Sequence, residues 1–210
     1  ITDEIKARIR KAARSSKAEV CLVEIGGTVG DIEGGPFLEA IRQFRNEIGR
    51  ENAVNIHLTL VPTLTTAGEV KTKLTQHSVK ELRGIGITPD IIVCRTTAEI
   101  TDDIKAKISL FCDVPKECVI SAPDVDEIYK IPVNFEKQGI ADIILKKLSI
   151  ITDENDLSEW ERMLCNIDKP RGKVVIGVFG KYFFKDAYLS VMEALKHGGI
   201  AHGVEVERKL

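Results

Sequence analysis

Glu24 closes an apolar run, Val20, Cys21, Leu22 and Val23. The chain then turns at once into a loop carrying Gly26, Gly27 and Gly30 with two further acids, Asp31 and Glu33. Open α/β sheets bind ligands at the carboxyl ends of their strands, and Mg²⁺ is held by one or two carboxylates together with substrate phosphates. An acid delivered by a buried strand beside a glycine-rich loop therefore points to a nucleotide-handling site. Glu24 carries most of that argument, because a carboxylate ending a buried strand is costly without a partner or a metal. The spacing is neither G-x-x-x-x-G-K-[ST] nor G-x-G-x-x-G, so no phosphate cradle follows from it. The alternative is a glycine-rich strand-to-helix turn whose acids are solvated.

Lys71 and Lys73 stand two apart, interleaved with Thr72 and Thr75 and followed by Gln76 and His77, after a stretch that includes Thr63, Thr65 and Thr66. Ammonium charges, hydroxyls and the open amides of a helix start suit a triphosphate. A solvated loop capped by a threonine would use the same residues, although a long stretch without periodicity is more often functional. Lys107 reads, on its own, as a surface lysine of a helix. His57 and His77 fit neither a metal pair nor a triad. Gly180-Lys181-Tyr182 lacks the hydroxyl residue that a Walker sequence needs after its lysine.

Five cysteines, Cys21, Cys94, Cys112, Cys118 and Cys165, are scattered without a C-x-x-C pair. Cys21 and Cys94 lie in apolar strand-like runs, where a thiol acts as a small hydrophobe. The set argues for a reducing compartment, hence a cytoplasmic location, and against disulfides or a zinc site. With 43% hydrophobic and 30% charged residues, 210 residues suffice for one core and part of another. A net charge of −2 gives no overall pull toward nucleic acid or membrane. The longest apolar runs, such as 174–179, are far short of the ~20 residues of a membrane span.

The elements that must position these residues alternate along the chain. Helical periodicity opens it, with Thr2 or Asp3 as N-cap. There follow a strand at 19–25, a helix at 36–48 with Pro36 in its first turn, a strand at 53–61 and a long loop. A helix at 75–84, a strand at 90–95, a helix at 101–111 and a strand at 117–121 complete the pattern. Near-continuous apolar strands between amphipathic helices predict a parallel sheet covered on both faces. Residues 153–173 turn charged and polar, with Leu157, Trp160, Met163 and Leu164 at helical spacing. A buried strand at 174–179 and a helix at 186–197 then open a second domain. Both ends read as interior to a longer protein.

Five blocks together resemble one family. EIGGTVGDIEGGPFLEAIRQF, GEVKTKLTQHSVKELRGIGITPDIIVCR, KISLFCDVP, DVDEIYKIP and GKYFFKDAYLSVMEALKHGG are similar to CTP synthase, the glutamine-dependent amidoligase that converts UTP to CTP. The resemblance implies a P-loop-NTPase-like synthetase domain, incomplete here, over 1–152. It also implies an interdomain connector over 153–172, and the first strand and helix of a class I glutaminase domain over 173–210. In such an enzyme ATP phosphorylates the uracil O4, glutamine-derived ammonia displaces the phosphate, GTP activates the glutaminase, and the assembly is a homotetramer. Carried over by position, Glu24 is the Mg²⁺-binding acid, and Asp31, Ile32 and Glu33 belong to the CTP-feedback site. Lys71, Thr72, Lys73, Leu74, Thr75 and Gln76, with Lys107, form the UTP and CTP site, and Asp124 and Val125 contact ATP. No catalytic residue is assigned.

Two departures stand out. Leu74 replaces the proline of the family's usual KTKPTQ, removing a stiff point from the triphosphate loop, and the segment 182–186 is one residue short. The N-terminal phosphate-binding loop, the second Mg²⁺ acid and the glutaminase cysteine, histidine and glutamate are not in the sequence, so the chain alone is expected not to make CTP. The competing expectation is a non-catalytic nucleotide-binding or assembly module.

Overall fold

A computed structural model describes residues 1–64, 69–152, 156–181 and 185–209. They form two compact units, Ile1–Asp126 with Asn134–Thr152, and Glu127–Val133 with Asp153–Leu210. In the first unit α1 (Thr2–Ser16) and α2 (Gly35–Ile48) precede β1 (Ile56–Leu60), a short pair of strands β2 (Thr63–Leu64) and β3 (Glu69–Val70), and α3 (Lys73–Gly84). Next come β4 (Ile91–Thr96), α4 (Asp102–Cys112), β5 (Val119–Pro123), α5 (Ile131–Glu136), whose first turn lies in the other unit, and α6 (Ile140–Lys147).

The central sheet has the order β1-β4-β5 and is parallel throughout, with Leu58 beside Val93 and Val93 beside Ile120. Successive strand residues point to opposite faces, and both faces of β4 are covered. Ile92 and Cys94 pack with Val79, Ile108 and Val119 on the side of α3 and α4. Ile91 and Val93 pack with Ile120 and Ile140, backed by Phe135, Ile143 and Ile144, on the other. The expected parallel sheet flanked by helices is therefore present.

Polar contacts fix the ends of this sheet. At its amino end Asp90 accepts the amide of Asn55 at 2.8 Å and pairs with Arg45 of α2 at 2.8 Å, tying β1, β4 and α2 together. At its outer edge β5 is completed by a side chain: the Gln138 amide donates to the carbonyl of Ser121 and accepts its N–H, each at 2.8 Å. Lys6 lies buried between α1 and α2. Its ammonium pairs with Asp3 at 2.9 Å and with Glu47 and donates to Gln43, and these carboxylates hold its pKa above the usual lysine range.

Four expectations need correction. Residues 19–25 form no strand; Leu22 is 92% exposed, and Glu24 is exposed as well. An apolar run becomes a strand only where a neighbouring edge takes up its backbone hydrogen bonds, and among the described residues none pairs with it. Cys21, expected as a buried hydrophobe, is exposed for the same reason. The segment between β5 and residue 153, left without elements by periodicity, contains α5 and α6, and α1 is capped by neither Thr2 nor Asp3 but begins after Ile1. Smaller shifts follow local bonds, as where α3 starts at Lys73 because the amide of Gln76 reaches the carbonyl of Thr72 at 3.0 Å.

Burial pushes the thiols of Cys94 and Cys112 up to about 11 and raises that of Cys118. Raised thiol pKa values leave little reactive thiolate near neutrality. A disulfide-exchange reagent at pH 8 is therefore expected to titrate Cys21 and Cys165 quickly and the other three only after denaturant is added. Rapid reaction of all five in the folded protein would contradict this core.

In the second unit α7 (Ser158–Asp168) leads to β6 (Lys173–Gly177), α8 (Leu189–His202) and β7 (Glu205–Lys209). β6 and β7 pair in parallel, Val174 beside Val206. Gly199 lets α8 sit close on β7: a Cβ there would lie 2.5 Å from Val206 and 2.8 Å from the carbonyl of Val204. Among the described residues no helix is long and apolar enough to cross a membrane.

Candidate functional site

The carboxyl edge of the three-stranded sheet gathers the polar residues of three successive loops. β1 is extended by Val61, whose amide donates to the carbonyl of Arg95 at 2.8 Å. The next carbonyl, of Pro62, accepts the amide of Lys71 at 2.9 Å. Lys71 is thereby held at the end of β1 just before α3. Beside it, the Thr97 hydroxyl, following β4, donates to that of Thr63 at 3.4 Å. Beyond β4 the amide of Asp124 donates to the carbonyl of Thr96 at 2.8 Å, and the Asp124 carboxylate stands 3.6 Å from the Arg95 guanidinium. Lysine, threonines, arginine and aspartate thus line one edge, at the place where open α/β sheets take ligands.

The first turn of α3 divides the residues around Lys71 by role. Thr75 is fully buried, and its hydroxyl donates to Thr59 at 3.1 Å and to the carbonyl of Leu60 at 3.3 Å, clamping the helix start onto β1. Thr72 is also buried, and its hydroxyl accepts from Gln76 at 3.0 Å. Lys73 and Leu74 are exposed. The segment therefore combines a rigid anchor of threonines with two basic side chains: Lys71, half-buried at the sheet edge, and Lys73, in solvent. Lys107 is exposed on α4. Thr65 and Thr66 lie outside the described residues.

The glycine loop is a self-contained turn. The Asp31 carboxylate accepts the amide of Thr28 at 3.0 Å, and the carbonyl of Thr28 accepts the amide of Asp31 at 3.0 Å. Gly27 and Gly30 have φ values of 89° and 105°, a region that residues with a Cβ rarely enter. Ile32 is 93% exposed and Glu33 is exposed beside it on the short turn leading into α2. Glu24 and Gly26 to Thr28 line a groove of about 1460 Å³ whose other walls include Leu58, Leu60, Leu74 and His77. The acid-bearing segment and the first turn of α3, separate in sequence, share this groove.

Among the described residues no group of three or more His, Cys, Asp or Glu side chains is placed to hold a metal. Glu24, expected as a metal ligand, is exposed on the segment before the glycine loop. His57 is accounted for structurally: its Nε2 lies 2.8 Å from the Ser78 hydroxyl, and burial lowers its pKa. Arg95 and Thr97 escaped the reading of the sequence. The available signal was their place at the carboxyl end of β4, where polar residues border a ligand site.

Comparison with known proteins bears on the family of the chain. The model of the CTP synthase N-terminus matches residues 1–150. CTP synthase of Ruminiclostridium cellulolyticum is 54% identical over 208 residues, covering 99% of this chain and 39% of that protein. The CTP synthases of Carboxydothermus hydrogenoformans and Lawsonia intracellularis are each 54% identical, over 207 and 212 residues, covering 98% and 99% of this chain and 39% and 38% of theirs. The chain thus spans about two fifths of the length of the curated relatives it matches. With the family model covering residues 1–150 and identity above one half along nearly all its length, the chain belongs to the CTP synthase family.

Proposed function

We propose that this chain carries the pyrimidine triphosphate site of an enzyme that aminates UTP to CTP, using ATP and ammonia derived from glutamine. The observation that carries the reading is the placement of Lys71 at the end of β1, one strand from Arg95 and two from Asp124, along the sheet's carboxyl edge. Lys71 and Lys73 offer ammonium groups to phosphate oxygens, and the amides at the start of α3 add donors. Thr72, Thr75 and Gln76 hold that start in place. Lys107 adds a further cation to the UTP and CTP site, and Leu74 borders the groove that Glu24 lines.

Asp124 and Val125 contact ATP in this reading, and Asp31, Ile32 and Glu33 present the surface that senses CTP. Glu24 would hold Mg²⁺ together with nucleotide phosphates, and the ion would neutralise charge on the transferred phosphoryl group. Residues 173–210 open the glutaminase part, reached through the connector at 153–172, with GTP as its activator. A homotetramer in the cytoplasm completes the reading, and the free thiols are compatible with that compartment.

A thermal-shift panel with UTP, CTP, ATP and GTP, each with and without Mg²⁺, tests this. A ligand at a hundredfold excess over its Kd stabilises the folded state by about 2.7 kcal/mol. UTP and CTP are expected to raise the midpoint more than GTP, and Glu24→Gln is expected to remove the increment due to Mg²⁺ while leaving the nucleotide-only shift. Equal shifts with all four nucleotides would count against a pyrimidine site.

A further inference from the structure

Residues Glu127–Val133 belong to the second unit although the chain on either side of them belongs to the first. Tyr129 is the centre of the contacts that place them there. Its ring meets Trp160 of α7 edge-on at 6.2 Å and His197 of α8 edge-on at 5.8 Å, and its hydroxyl is hydrogen-bonded to Nε2 of His197. The Lys196 ammonium sits 5.1 Å from the Tyr129 ring centroid and also pairs with Glu127 at 2.8 Å, where the Glu127 side chain is only 11% exposed. The indole N–H of Trp160 donates to the carbonyl of Tyr129 at 2.7 Å, and Lys130 pairs with Asp168 at the far end of α7 at 3.0 Å.

α7 needs such support. It has 11 residues and no fully buried residue, the Asp156 carboxylate accepts the amide of its first residue, Ser158, at 2.9 Å, and isolated helices of that length are marginal in water. We infer that Glu127–Val133 is a clasp on which the order of α7 depends, with Tyr129 as its pin. The strap grips α7 at Trp160 and Asp168 and α8 at Lys196 and His197. Release of Tyr129 turns the helix that leads into β6 from an ordered element into a flexible tether.

Trp160 is the single tryptophan of the chain, so its emission reports the clasp directly. In Tyr129→Ala, measured in the full chain, Trp160 emission is expected to shift to the red. Amides of 127–133 and of α7 are expected to exchange at least tenfold faster, while those of β4 keep their protection. Unchanged emission and unchanged α7 exchange would overturn the inference. Should Tyr129→Ala also lose β4 protection, Lys196→Met decides. It removes the cation over the ring and the ion pair to Glu127, and it is expected to speed exchange at 127–133 and α7 only; no change there overturns the inference too. Tyr129→Phe, which loses only the bond to His197, is expected to fall between the wild type and Tyr129→Ala.

Discussion

Gln138→Ala is expected to lower the unfolding free energy of the first unit by about 2–4 kcal/mol, because a buried donor or acceptor left without its partner costs about 1–3 kcal/mol. The Gln138 amide occupies the position a further strand would take beside β5, and it satisfies both backbone groups of Ser121, a residue with no exposed surface. Its oxygen also accepts from the Lys105 ammonium at 3.1 Å. Its nitrogen donates as well to the carbonyl of Asn134 at 3.2 Å, so truncation removes all four bonds at once. Urea titration followed by circular dichroism reads the effect as a lower midpoint with an unchanged slope, and exchange of the Ser121 amide rises with it. Gln138→Glu provides the internal comparison, since it keeps an acceptor for the Ser121 N–H while setting a carboxylate against the Ser121 carbonyl. A change below about 0.5 kcal/mol for Gln138→Ala, the range of ordinary surface substitutions, would show that water replaces the side chain without cost.

Lys71→Ala is expected to weaken UTP and CTP binding about tenfold to a hundredfold, the equivalent of losing one hydrogen bond to a charged group at about 1.5–3 kcal/mol. Its stability is expected to stay near that of the wild type, because the backbone amide that ties position 71 to Pro62 is retained. Lys73→Ala should cost less, since its side chain is solvent-exposed and an exposed charge is screened by salt. Thr75→Val makes the opposite pattern. It removes the hydroxyl between α3 and β1, so it is expected to lower stability first and affinity only as a consequence. The ordering of the three variants in nucleotide affinity at 0.15 M salt, set against their melting temperatures, separates ligand contacts from anchors.

Much of the sheet was legible because β4 and β5 are buried on both faces, and such strands read as unbroken apolar runs. The run at 20–23 looks the same by that criterion, yet it pairs with no described strand. Hydrophobicity reports what wants burial, whereas a ladder also needs an edge in the right place. α5 and α6 were illegible because they have 6 and 8 residues and are separated by Gly139 with φ of 70°, too little chain for a 3.6-residue period to emerge. At the site, the spacing of Lys71, Thr72 and Lys73 announced a helix start with charge. The burial of Thr72 and Thr75 was hidden, since a hydroxyl that caps and one that meets phosphate look alike in sequence. Asp124 entered only through family resemblance, and its partner Arg95 did not enter at all, because its one signal, a place at the carboxyl end of β4, comes with no spacing motif.

The most direct test of the pyrimidine site is equilibrium binding of labelled UTP in the presence of Mg²⁺, competed separately by CTP and by GTP, on the wild-type chain and on Lys71→Ala. Saturable UTP binding that CTP displaces, that GTP leaves in place, and that Lys71→Ala weakens at least tenfold is the predicted result. Binding that GTP displaces equally well, or that survives Lys71→Ala unchanged, would contradict a pyrimidine triphosphate site at the carboxyl edge of this sheet.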